Sequence, residues 1–446
     1  MTLVLWGRFI GDGALLLRRF VGFSPMNRLP HSLFADESAP TFLCYAPPMI
    51  SYPDALALLL GEADALESER VDIDAVSGRF LASDIVSPHA LPGFDNAAMD
   101  GFAVRAPGEA IAAGSTYLVG AMHAAGDDTD DYPDAEACEI ATGARMPARF
   151  DTVVPVERAE RQGDRVRFVA DERRGQNVRR AGSDIDAGTV ALTAMRRVDP
   201  AAIMLLAALG IAQVDVVRRP RVAIINTGSE LNPGGPLPLA GIHDSNGPFL
   251  ASSLARWGVE ATGRTRVADH GDAFYLAVRD ALAAHADLIV TTGAVSAGRF
   301  DFVPAALASL GARELFHKVA IRPGKPLLAA CFDRGPLVVA LPGNPIAVAV
   351  GYRFFVAPVL RAMAGLAPEQ PRRARLDVAP STREGLQYFG LGEFAHDEGG
   401  HPIVRMTPAQ AAYRILPYTQ ANVWWSAVEG RVDSVDTWPL DPTDAS

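Results

Sequence analysis

The stretch Val222-Ala223-Ile224-Ile225-Asn226-Thr227-Gly228-Ser229-Glu230 decides the fold class, because a near-continuous apolar run passes directly into a polar turn. Runs that are apolar at almost every position are typical of strands buried on both faces of a parallel sheet. Leu288 to Thr292 and Leu337 to Leu341 have the same character, in a βα alternation that starts near Arg221. The sequence therefore predicts a doubly wound α/β sheet.

Each of these predicted strands ends in a loop rich in glycine and polar residues. The loops are Thr227 to Glu230, Thr292 to Gly298 and Leu341 to Pro345. In open α/β sheets the ligand crevice lies at the carboxyl ends of the strands. We therefore expect these loops to converge on one binding site.

Three cations occur in the segment His317 to Pro326, namely Lys318, Arg322 and Lys325. Lys318 and Arg322 are an even number of residues apart, so on one strand they would share a face, and Lys325 follows a Pro-Gly turn. Arginine can donate a forked pair of hydrogen bonds to an oxyanion, and the lysines act as point charges. The segment predicts an oxyanion receptor; exposed lysines without a ligand are the alternative.

Three acids are candidate oxygen ligands for Mg²⁺ beside this crevice: Glu230, Asp269 and Asp301. Magnesium that bridges phosphates is commonly held by one or two carboxylates. Each acid taken alone is more simply interpreted as a solvated surface carboxylate. A metal site therefore requires that the acids meet in space.

The run from Pro92 to Arg105 places Asp95 and Asp100 in a segment with no clear period. Pro92-Gly93 and Asp100-Gly101 are turn signals, so the chain could aim both acids at one place. An ordinary polar loop is the alternative.

The segment Arg179 to Asp184 forms a second basic and acidic turn in the same β-rich region. That turn could lie over the crevice of a neighbouring subunit.

A chain of 446 residues is too long for a single core. Shifts in texture predict an α/β multidomain protein with an inserted β-rich module and a small C-terminal β-domain. The predicted divisions are a disordered extension over 1–48, a helical-β linker domain over 49–86 and 190–219, an inserted β-rich domain over 87–189, an α/β domain over 220–366 and a β-domain over 367–446.

Composition and missing motifs exclude several function classes. The formal net charge of −11 argues against nucleic acid or anionic membrane as the main partner. No run reaches the apolar length of a membrane span, and the start lacks the features of a secretory signal. Three distant cysteines favour a reducing cytoplasm. The sequence has no GxxxxGK[ST], GxGxxG, HExxH or GxSxG motif.

Several motifs, taken in order, resemble the molybdopterin molybdenumtransferase family, to which the gephyrin E-domain belongs. The resemblance extends from about residue 50 to residue 365. The motifs are Pro92 to Arg105, Thr142-Gly143-Ala144-Arg145-Met146-Pro147, Gln176-Asn177-Val178-Arg179-Arg180, Asp244-Ser245-Asn246, Thr292 to Asp301, Lys318 to Pro326 and Leu341 to Pro345.

The resemblance implies insertion of molybdenum from molybdate into adenylylated molybdopterin, with release of AMP and molybdenum cofactor and with Mg²⁺ assisting. It also implies a homodimer whose active sites are shared between subunits. The molybdopterin adenylyltransferase and molybdoenzyme acceptors are further partner candidates. The implied catalytic residues are Asp100, Thr142, Glu230, Asp269, Lys318 and Arg322; the implied cofactor-binding residues are Arg179, Asp184, Thr227, Gly228, Gly293, Ser296, Gly298, Lys325, Pro342, Gly343, Asn344 and Pro345; the implied metal ligands are Glu230, Asp269 and Asp301.

Some positions depart from the family pattern. Ala97 and Phe102 stand where the family usually has serine and tyrosine. Ser229 replaces an aspartate, and Ala294 replaces a glycine that could be needed where phosphate approaches the backbone. Ala297 and Arg322 also differ from the usual valine and lysine. These changes leave open a paralogue with slower or altered chemistry, such as a carrier or scaffold that binds molybdopterin without turnover. A related nucleotide-pyrophosphate hydrolase is a third alternative, and the long matching β-rich module counts against it.

Overall fold

The computed structural model describes residues 49–128, 134–232, 234–295, 302–428 and 434–444. The predicted extension over 1–48 and the predicted site residues Ser296, Gly298 and Asp301 lie outside the described residues. The departure at Ala297 lies outside them as well.

The first helix, α1 (Tyr52–Leu60), begins after Ser51, whose hydroxyl accepts a hydrogen bond from a backbone N–H of the first turn. The helix ends at Leu60 and is followed by Gly61 as its C-terminal cap. One face of α1 packs into the main core of the protein. The strands that follow are β1 (Ser68–Asp72) and β2 (Ile85–Val86).

A module of short strands comes next, as predicted. Its strands are β3 (Asn96–Ala97), β4 (Gly101–Val104), β5 (Ala110–Ile111), β6 (Thr116–Leu118), β7 (Ala137–Ile140), β8 (Thr152–Pro155), β9 (Ala159–Gln162), β10 (Arg165–Phe168), β11 (Glu172–Arg173) and β12 (Val178–Arg179). Strand β4 lies between β7 and β8 in an antiparallel sheet. Ala103 packs in one core and Phe102 and Val104 in another, because alternate side chains leave opposite faces of a strand.

Two strand pairs mark where the chain enters and leaves this module. Strand β13 (Val190–Leu192) pairs antiparallel with β2, and β14 (Gln213–Val217) pairs antiparallel with β1. Between them, α2 (Pro200–Ala208) is capped by the carboxylate of Asp199, which accepts a hydrogen bond from the Ala202 N–H. The module is therefore an insertion between neighbouring strands of one unit.

The α/β domain is built on a six-stranded sheet of order β18-β15-β19-β23-β22-β20. Its elements in chain order are β15 (Arg221–Thr227), β16 (Leu231–Asn232), β17 (Ile242–His243), α3 (Asn246–Ala255), β18 (Glu260–Val267), α4 (Gly271–Ala283), β19 (Leu288–Thr292), α5 (Val303–Ser309), β20 (Arg313–His317), β21 (Ile321–Arg322), β22 (Leu328–Cys331), β23 (Leu337–Leu341), α6 (Pro345–Gly351), a π-helical turn (Tyr352–Val356) and α7 (Ala357–Met363). The first four strands of the sheet are parallel, and β22 and β20 run antiparallel to their neighbours.

Alternate residues of β15 pack on opposite faces of this sheet. Val222 and Ile224 join the core under α1, α3 and α6, and Ala223 and Ile225 join the core under α4 and α5. Because helices cover both faces, the strand is apolar at successive positions rather than at every second one. The predicted doubly wound sheet is confirmed.

The helical stretch Pro345–Met363 is long and apolar enough to cross a membrane by length and composition alone. Of its apolar window, 83% is buried inside the fold. Phe354 and Phe355 within it belong to the main core. It is a core helix of the α/β domain.

The C-terminal part forms a closed β-barrel, in agreement with the predicted small β-domain. Its elements are β24 (Arg372–Leu376), β25 (Gln387–His396), β26 (Pro402–Met406), α8 (Leu416–Gln420), β27 (Val423–Ala427) and β28 (Val435–Pro439). The pairings run β25-β26-β24-β28-β27 and return to β25. The segment His317 to Pro326, called the cation segment below, contains strand β21. This strand also pairs with β25, which holds the cation segment against the barrel.

The sequence did not predict β25, because its glycines resemble turn residues. A Cβ on Gly390 would lie 2.1 Å from the Trp425 ring, and a Cβ on Gly392 would lie 2.3 Å from the Val404 side chain. These glycines make room for side chains that cross the barrel, and they do not interrupt the strand.

Candidate active site at the carboxyl edge of the sheet

The loops with predicted function lie along one edge of the six-stranded sheet. The carboxyl ends of β15, β19 and β23 are side by side because these strands are parallel neighbours. The end of β20 at His317 pairs with Leu328, which in turn pairs with Ala340 near the end of β23. The cation segment between β20 and β22 therefore meets the three loops at the same edge, as predicted.

Direct contacts join the loops that follow β15, β19 and β23. The Thr227 hydroxyl donates to the Thr292 carbonyl oxygen at 3.0 Å, and the Gly293 N–H donates to the Leu341 carbonyl oxygen at 2.9 Å. Gly293 has a φ of +87°, and a Cβ on it would lie 2.5 Å from the Thr227 hydroxyl oxygen. Only glycine fits here without strain or collision.

Ala294, next in the chain, also has a left-handed backbone, with a φ of +52°. An L-residue with a Cβ is strained in that region, whereas glycine is not. The position where the family usually has glycine is therefore one where the backbone itself favours glycine. The alanine at this position keeps the turn at a cost in conformational energy.

The turns after β15 and β18 are joined by a reciprocal pair of hydrogen bonds. The Ser229 N–H donates to the Asp269 carboxylate at 3.0 Å, and the Asp269 N–H donates to the Ser229 hydroxyl oxygen at 3.1 Å. The serine that departs from the family pattern thus positions a predicted metal ligand. Glu230 follows directly, and its carboxylate lies beside Gly228, where a Cβ would come within 2.8 Å of it.

Two of the three predicted Mg²⁺ ligands, Glu230 and Asp269, lie at this edge. In the described ranges no cluster of three or more His, Cys, Asp or Glu side chains is arranged to hold a metal ion. Two carboxylates joined by phosphate oxygens are nonetheless a usual donor set for Mg²⁺. The residues present therefore fit magnesium that arrives with a phosphate-bearing substrate.

A polar network that sequence reasoning did not assign to the site supports the loop after β23. The Asn246 side-chain amide donates to the Gly343 carbonyl oxygen at 2.8 Å. Asp244 accepts hydrogen bonds from the Gly247 N–H at 2.9 Å and the Asn226 amide at 3.2 Å. The motif Asp244-Ser245-Asn246 is part of the resemblance, but its local pattern does not reveal that Asn246 bonds to a residue 97 positions away.

The cation segment is not a single strand, so the predicted shared face of Lys318 and Arg322 is wrong. Lys318 follows the end of β20 and has a φ of +72°, which turns the chain out of the strand. Its N–H donates to the Leu327 carbonyl oxygen at 2.9 Å, which fixes that turn. Arg322 lies in β21 and pairs with β25 of the barrel, with its guanidinium 6.0 Å from the Tyr388 ring centre.

A cavity of about 900 Å³ lies between the sheet edge and the barrel. Arg322 and Lys325 line it, and so do the loop residues Pro342, Gly343 and Asn344. The opposite wall comes from the barrel and is largely apolar, including Tyr388 and Trp425. The C-terminal domain, for which the sequence predicted no site residue, thus forms half of this cavity.

The predicted acidic residue of the inserted module, Asp100, is bound to a second predicted residue. Its carboxylate accepts hydrogen bonds from the Thr142 N–H at 2.6 Å and the Thr142 hydroxyl at 2.8 Å. These bonds hold the pKa of Asp100 below its usual range, so the carboxylate is charged at neutral pH. Asp100 and Thr142 form one exposed unit.

Asp95, the other acid of the run, bonds it to the predicted second turn. The Asp95 carboxylate accepts the Ala181 N–H at 2.8 Å and pairs with Arg180, and these contacts lower the pKa of Asp95. Arg179 lies in β12, where it pairs with Asn96, and donates to the Ala98 carbonyl oxygen at 3.3 Å. The run and the predicted second turn therefore form one hydrogen-bonded patch.

Asp184 is exposed on this second turn, and its N–H donates to the Leu91 carbonyl oxygen at 3.0 Å. Ala97 and Phe102, which lack the hydroxyls of the usual serine and tyrosine, are both core residues. Ala97 is fully buried, and Phe102 is 3% exposed and packs against Phe168. Apolar side chains suit these core positions without a polar partner.

The predicted site residues therefore form an edge patch in the α/β domain and a module patch in the insertion. The edge patch consists of Thr227, Gly228, Glu230, Asp269, Gly293, Lys318, Arg322, Lys325, Pro342, Gly343, Asn344 and Pro345. The module patch consists of Asp100, Thr142, Arg179 and Asp184.

Comparison with known families places this fold in a class. Residues 223–362 match the family model of a probable molybdopterin binding domain, and residues 50–210 match that of the MoeA N-terminal region, domains I and II. The protein is thus of the class that joins a molybdopterin-binding α/β domain to a MoeA-type N-terminal region.

Individual relatives narrow the class. The chain is 39% identical to the molybdopterin molybdenumtransferase of Synechococcus elongatus over 84% of this chain and 94% of that protein. It is 36% identical to molybdopterin molybdenumtransferase 2 of Mycobacterium tuberculosis over 74% of this chain and 84% of that protein. The structure of the molybdopterin biosynthesis moeA protein from Pyrococcus horikoshii matches with a TM-score of 0.72 and 27% identity, over 88% of this chain and 99% of that one.

The chain belongs to the molybdopterin molybdenumtransferase family and is an enzyme of molybdenum cofactor biosynthesis.

Proposed function

We propose that this enzyme inserts molybdenum from molybdate into the dithiolene of adenylylated molybdopterin and releases AMP and molybdenum cofactor. The observation that carries the proposal is the cavity where the edge loops meet the cation segment. Arg322 and Lys325 line the cavity together with the loop after β23, and the glycine turns and the carboxylates of Glu230 and Asp269 lie on the neighbouring edge loops, outside its lining. This arrangement suits a tetrahedral oxyanion beside a phosphate anhydride.

The edge loops would hold the nucleotide side of the substrate. Gly228 and Gly293 have positive φ values, and the lack of a side chain at each would let a substrate phosphate approach the backbone of these turns closely. The N–H groups of the two glycines themselves donate to the Val267 and Leu341 carbonyl oxygens. The Asn246 amide fixes the Gly343 carbonyl, which keeps the third loop in place before substrate binds. Prior fixation of this kind avoids an ordering cost during binding.

Arg322 and Lys325 would hold molybdate, which is a substrate with two negative charges. Both side chains are exposed to the cavity, so an anion can reach them from solvent. Lys318, at the strained turn beside them, would add a third positive charge at the edge. These cations would draw molybdate towards the dithiolene and keep it there.

Glu230 and Asp269 would hold Mg²⁺ together with substrate phosphate oxygens, with Asp301 as a further proposed ligand. Bound magnesium would neutralise charge that develops on the phosphate as AMP leaves. Ser229 keeps the Asp269 carboxylate oriented for that purpose through its N–H.

The proposed assembly is a cytoplasmic homodimer in which the module patch of one subunit reaches the crevice of its partner. The exposed, charged Asp100 and the exposed Asp184 suit a role towards such a neighbour. The proposed protein partners are the molybdopterin adenylyltransferase that supplies the substrate and the molybdoenzymes that accept the product. We also propose domain boundaries after residues 86, 189, 219 and 366.

A carrier that binds without turnover is the second candidate. The strained backbone at Ala294 and the serine at position 229 favour a carrier, because both residues differ from the family pattern and both lie on the edge loops. A third candidate is a hydrolase of ordinary nucleotide pyrophosphates.

Incubation of the purified full chain with adenylylated molybdopterin, Mg²⁺ and molybdate separates these functions. Molybdate-dependent AMP release together with active cofactor supports the proposal. Tight substrate binding with no AMP supports the carrier and contradicts the proposal. AMP release from ordinary dinucleotides without molybdate identifies the hydrolase.

The shared active site has its own test. Asp100→Ala and Arg322→Met should each abolish turnover while the protein stays folded and dimeric. Mixing the two inactive proteins under subunit exchange should restore activity, because some mixed dimers contain one complete site. Activity in the mixture equal to that of the separate variants would show that each site lies within one subunit.

A further inference from the structure

A second cavity, of about 230 Å³, lies between α1, α7 and the barrel and shares no lining residue with the larger cavity at the sheet edge. Four aromatic side chains line it: Tyr52, Trp257, Phe354 and Trp438. The Phe354 ring meets the Tyr52 and Trp438 rings edge to face, with ring centres 6.3 and 5.1 Å away. An apolar cavity of about 150 Å³ is large enough to bind benzene. The second cavity therefore has room for one aromatic ring with a short substituent.

Three charged side chains among the described residues line this second cavity: Arg353, Arg361 and Glu369. Glu369 is bound to Arg353 at 2.7 Å, and their side chains are 13% and 3% exposed. The Arg353 guanidinium also donates to the Pro439 carbonyl oxygen at 3.1 Å. The charges of Arg353 and Glu369 cancel, so the lining as a whole carries the positive charge of Arg361.

Arg361, on α7, is half-buried and has a neutral partner. In the part of the chain that the structure describes, its side chain donates to the Ala367 carbonyl oxygen. Burial lowers the pKa of the Arg361 guanidinium, which means that its surroundings do not fully compensate the charge. An arginine nevertheless stays protonated in proteins. A partly desolvated cation without a carboxylate partner favours an anionic group in the cavity.

The cavity also joins two parts of the fold. Tyr52 belongs to α1 and Arg361 to α7, whereas Trp438 belongs to β28 of the barrel. The wall at Phe354 is well fixed, because this ring stacks on Phe389 of β25 with 4.1 Å between the ring centres. A ligand in the second cavity would therefore contact the α/β domain and the barrel together.

We propose that the second cavity binds a small aromatic carboxylate, with its ring among the four aromatic side chains and its carboxylate on Arg361. A guanidinium can donate two parallel hydrogen bonds to a carboxylate. Edge-to-face and stacked contacts between aromatic rings add to the burial of apolar surface. The site is separate from the larger cavity, so this inference goes beyond the proposed function and does not depend on it.

Titration calorimetry of the full chain tests the site with benzoate, phenylacetate and hydrocinnamate. Benzamide is the uncharged aromatic analogue, and acetate is the acid without a ring. At least one of the three aromatic acids should bind, and more tightly than either analogue. A charge-assisted hydrogen bond contributes enough free energy that Arg361→Met should weaken binding of the acid about 10- to 100-fold. Arg361→Lys should weaken it less, and binding of benzamide should stay unchanged in both variants.

Two further variants locate the bound acid. Leu56→Trp fills the cavity from the side of α1 and should abolish binding. Arg322→Met removes a matched arginine from the larger cavity and should bind the aromatic acids like the wild type. Because the ligand contacts both parts of the fold, a saturating acid should raise the unfolding midpoint of the wild type and not that of Leu56→Trp.

Unfolding midpoints without ligand check that each variant folds, and Arg361→Met alone decides if Leu56→Trp does not fold. No binding of any of the three aromatic acids to the wild type overturns the inference. Equal binding to the wild type and Arg361→Met overturns it as well. Binding that survives in a folded Leu56→Trp, or that is lost in Arg322→Met, places the ligand elsewhere and also overturns it.

Discussion

Replacing Gly293 by alanine tests how the edge loops are held together. A Cβ at this position would lie 2.5 Å from the Thr227 hydroxyl oxygen and 2.7 Å from the Thr227 carbonyl oxygen, so the backbone itself must shift. The φ of +87° adds about 1–2 kcal/mol of strain, and overpacking adds about 1–3 kcal/mol. Together, Gly293→Ala should lower the free energy of unfolding by about 2–5 kcal/mol.

Ala294→Gly is the matched variant at the next residue. Relief of left-handed strain should stabilise this turn by about 1–2 kcal/mol, offset by about 0.5–1 kcal/mol of glycine entropy. Urea unfolding of both variants, followed by tryptophan fluorescence and circular dichroism, gives the comparison. A Gly293→Ala protein as stable as the wild type would refute the assigned turn geometry. The same holds for an Ala294→Gly protein that is strongly destabilised.

Further variants test the barrel, a buried ion pair and the module patch. Gly390→Val should unfold the barrel region, because the added Cβ would lie 2.1 Å from a tryptophan ring; unchanged near-ultraviolet dichroism would contradict this. Arg353→Met should cost about 3 kcal/mol in urea unfolding because it leaves the carboxylate of Glu369, whose side chain is 13% exposed, without its partner, and Arg353→Met/Glu369→Leu should recover part of it; no recovery would show that the ion pair with Glu369 is not the stabilising contact of Arg353. The depressed pKa of Asp100 means that its bonds stabilise the fold above about pH 4 and are lost as pH falls through the folded value; Asp100→Asn should flatten that acid dependence of unfolding.

Much of the α/β architecture could be predicted because it rests on local patterns. Strands such as β15 are apolar at consecutive positions, and that pattern alone indicates burial on both faces. The barrel strand β25 was missed because Gly390 serves a distant tryptophan, which no local pattern reveals. Lys318 was placed on a strand because its left-handed turn has no glycine to announce it.

The meeting of the edge loops could be predicted from the sequence, but the contacts that support these loops could not. The edge loops follow from the rule that parallel strands end at one edge. The Asn246 bond to Gly343 and the Ser229 bonds to Asp269 span 97 and 40 residues, so they depend on the finished fold. The contribution of the barrel to the cavity depends likewise on the pairing of β21 with β25.

The most direct measurement is a crystal structure of the full chain with molybdate, AMP and Mg²⁺, with molybdenum located by anomalous scattering. We expect a molybdenum peak inside the cavity lined by Arg322, Lys325 and Arg414, with the AMP phosphate at the edge loops beside Glu230 and Asp269. A molybdenum peak outside this cavity, or acids separated from the cations by more than the length of the substrate, would contradict this expectation.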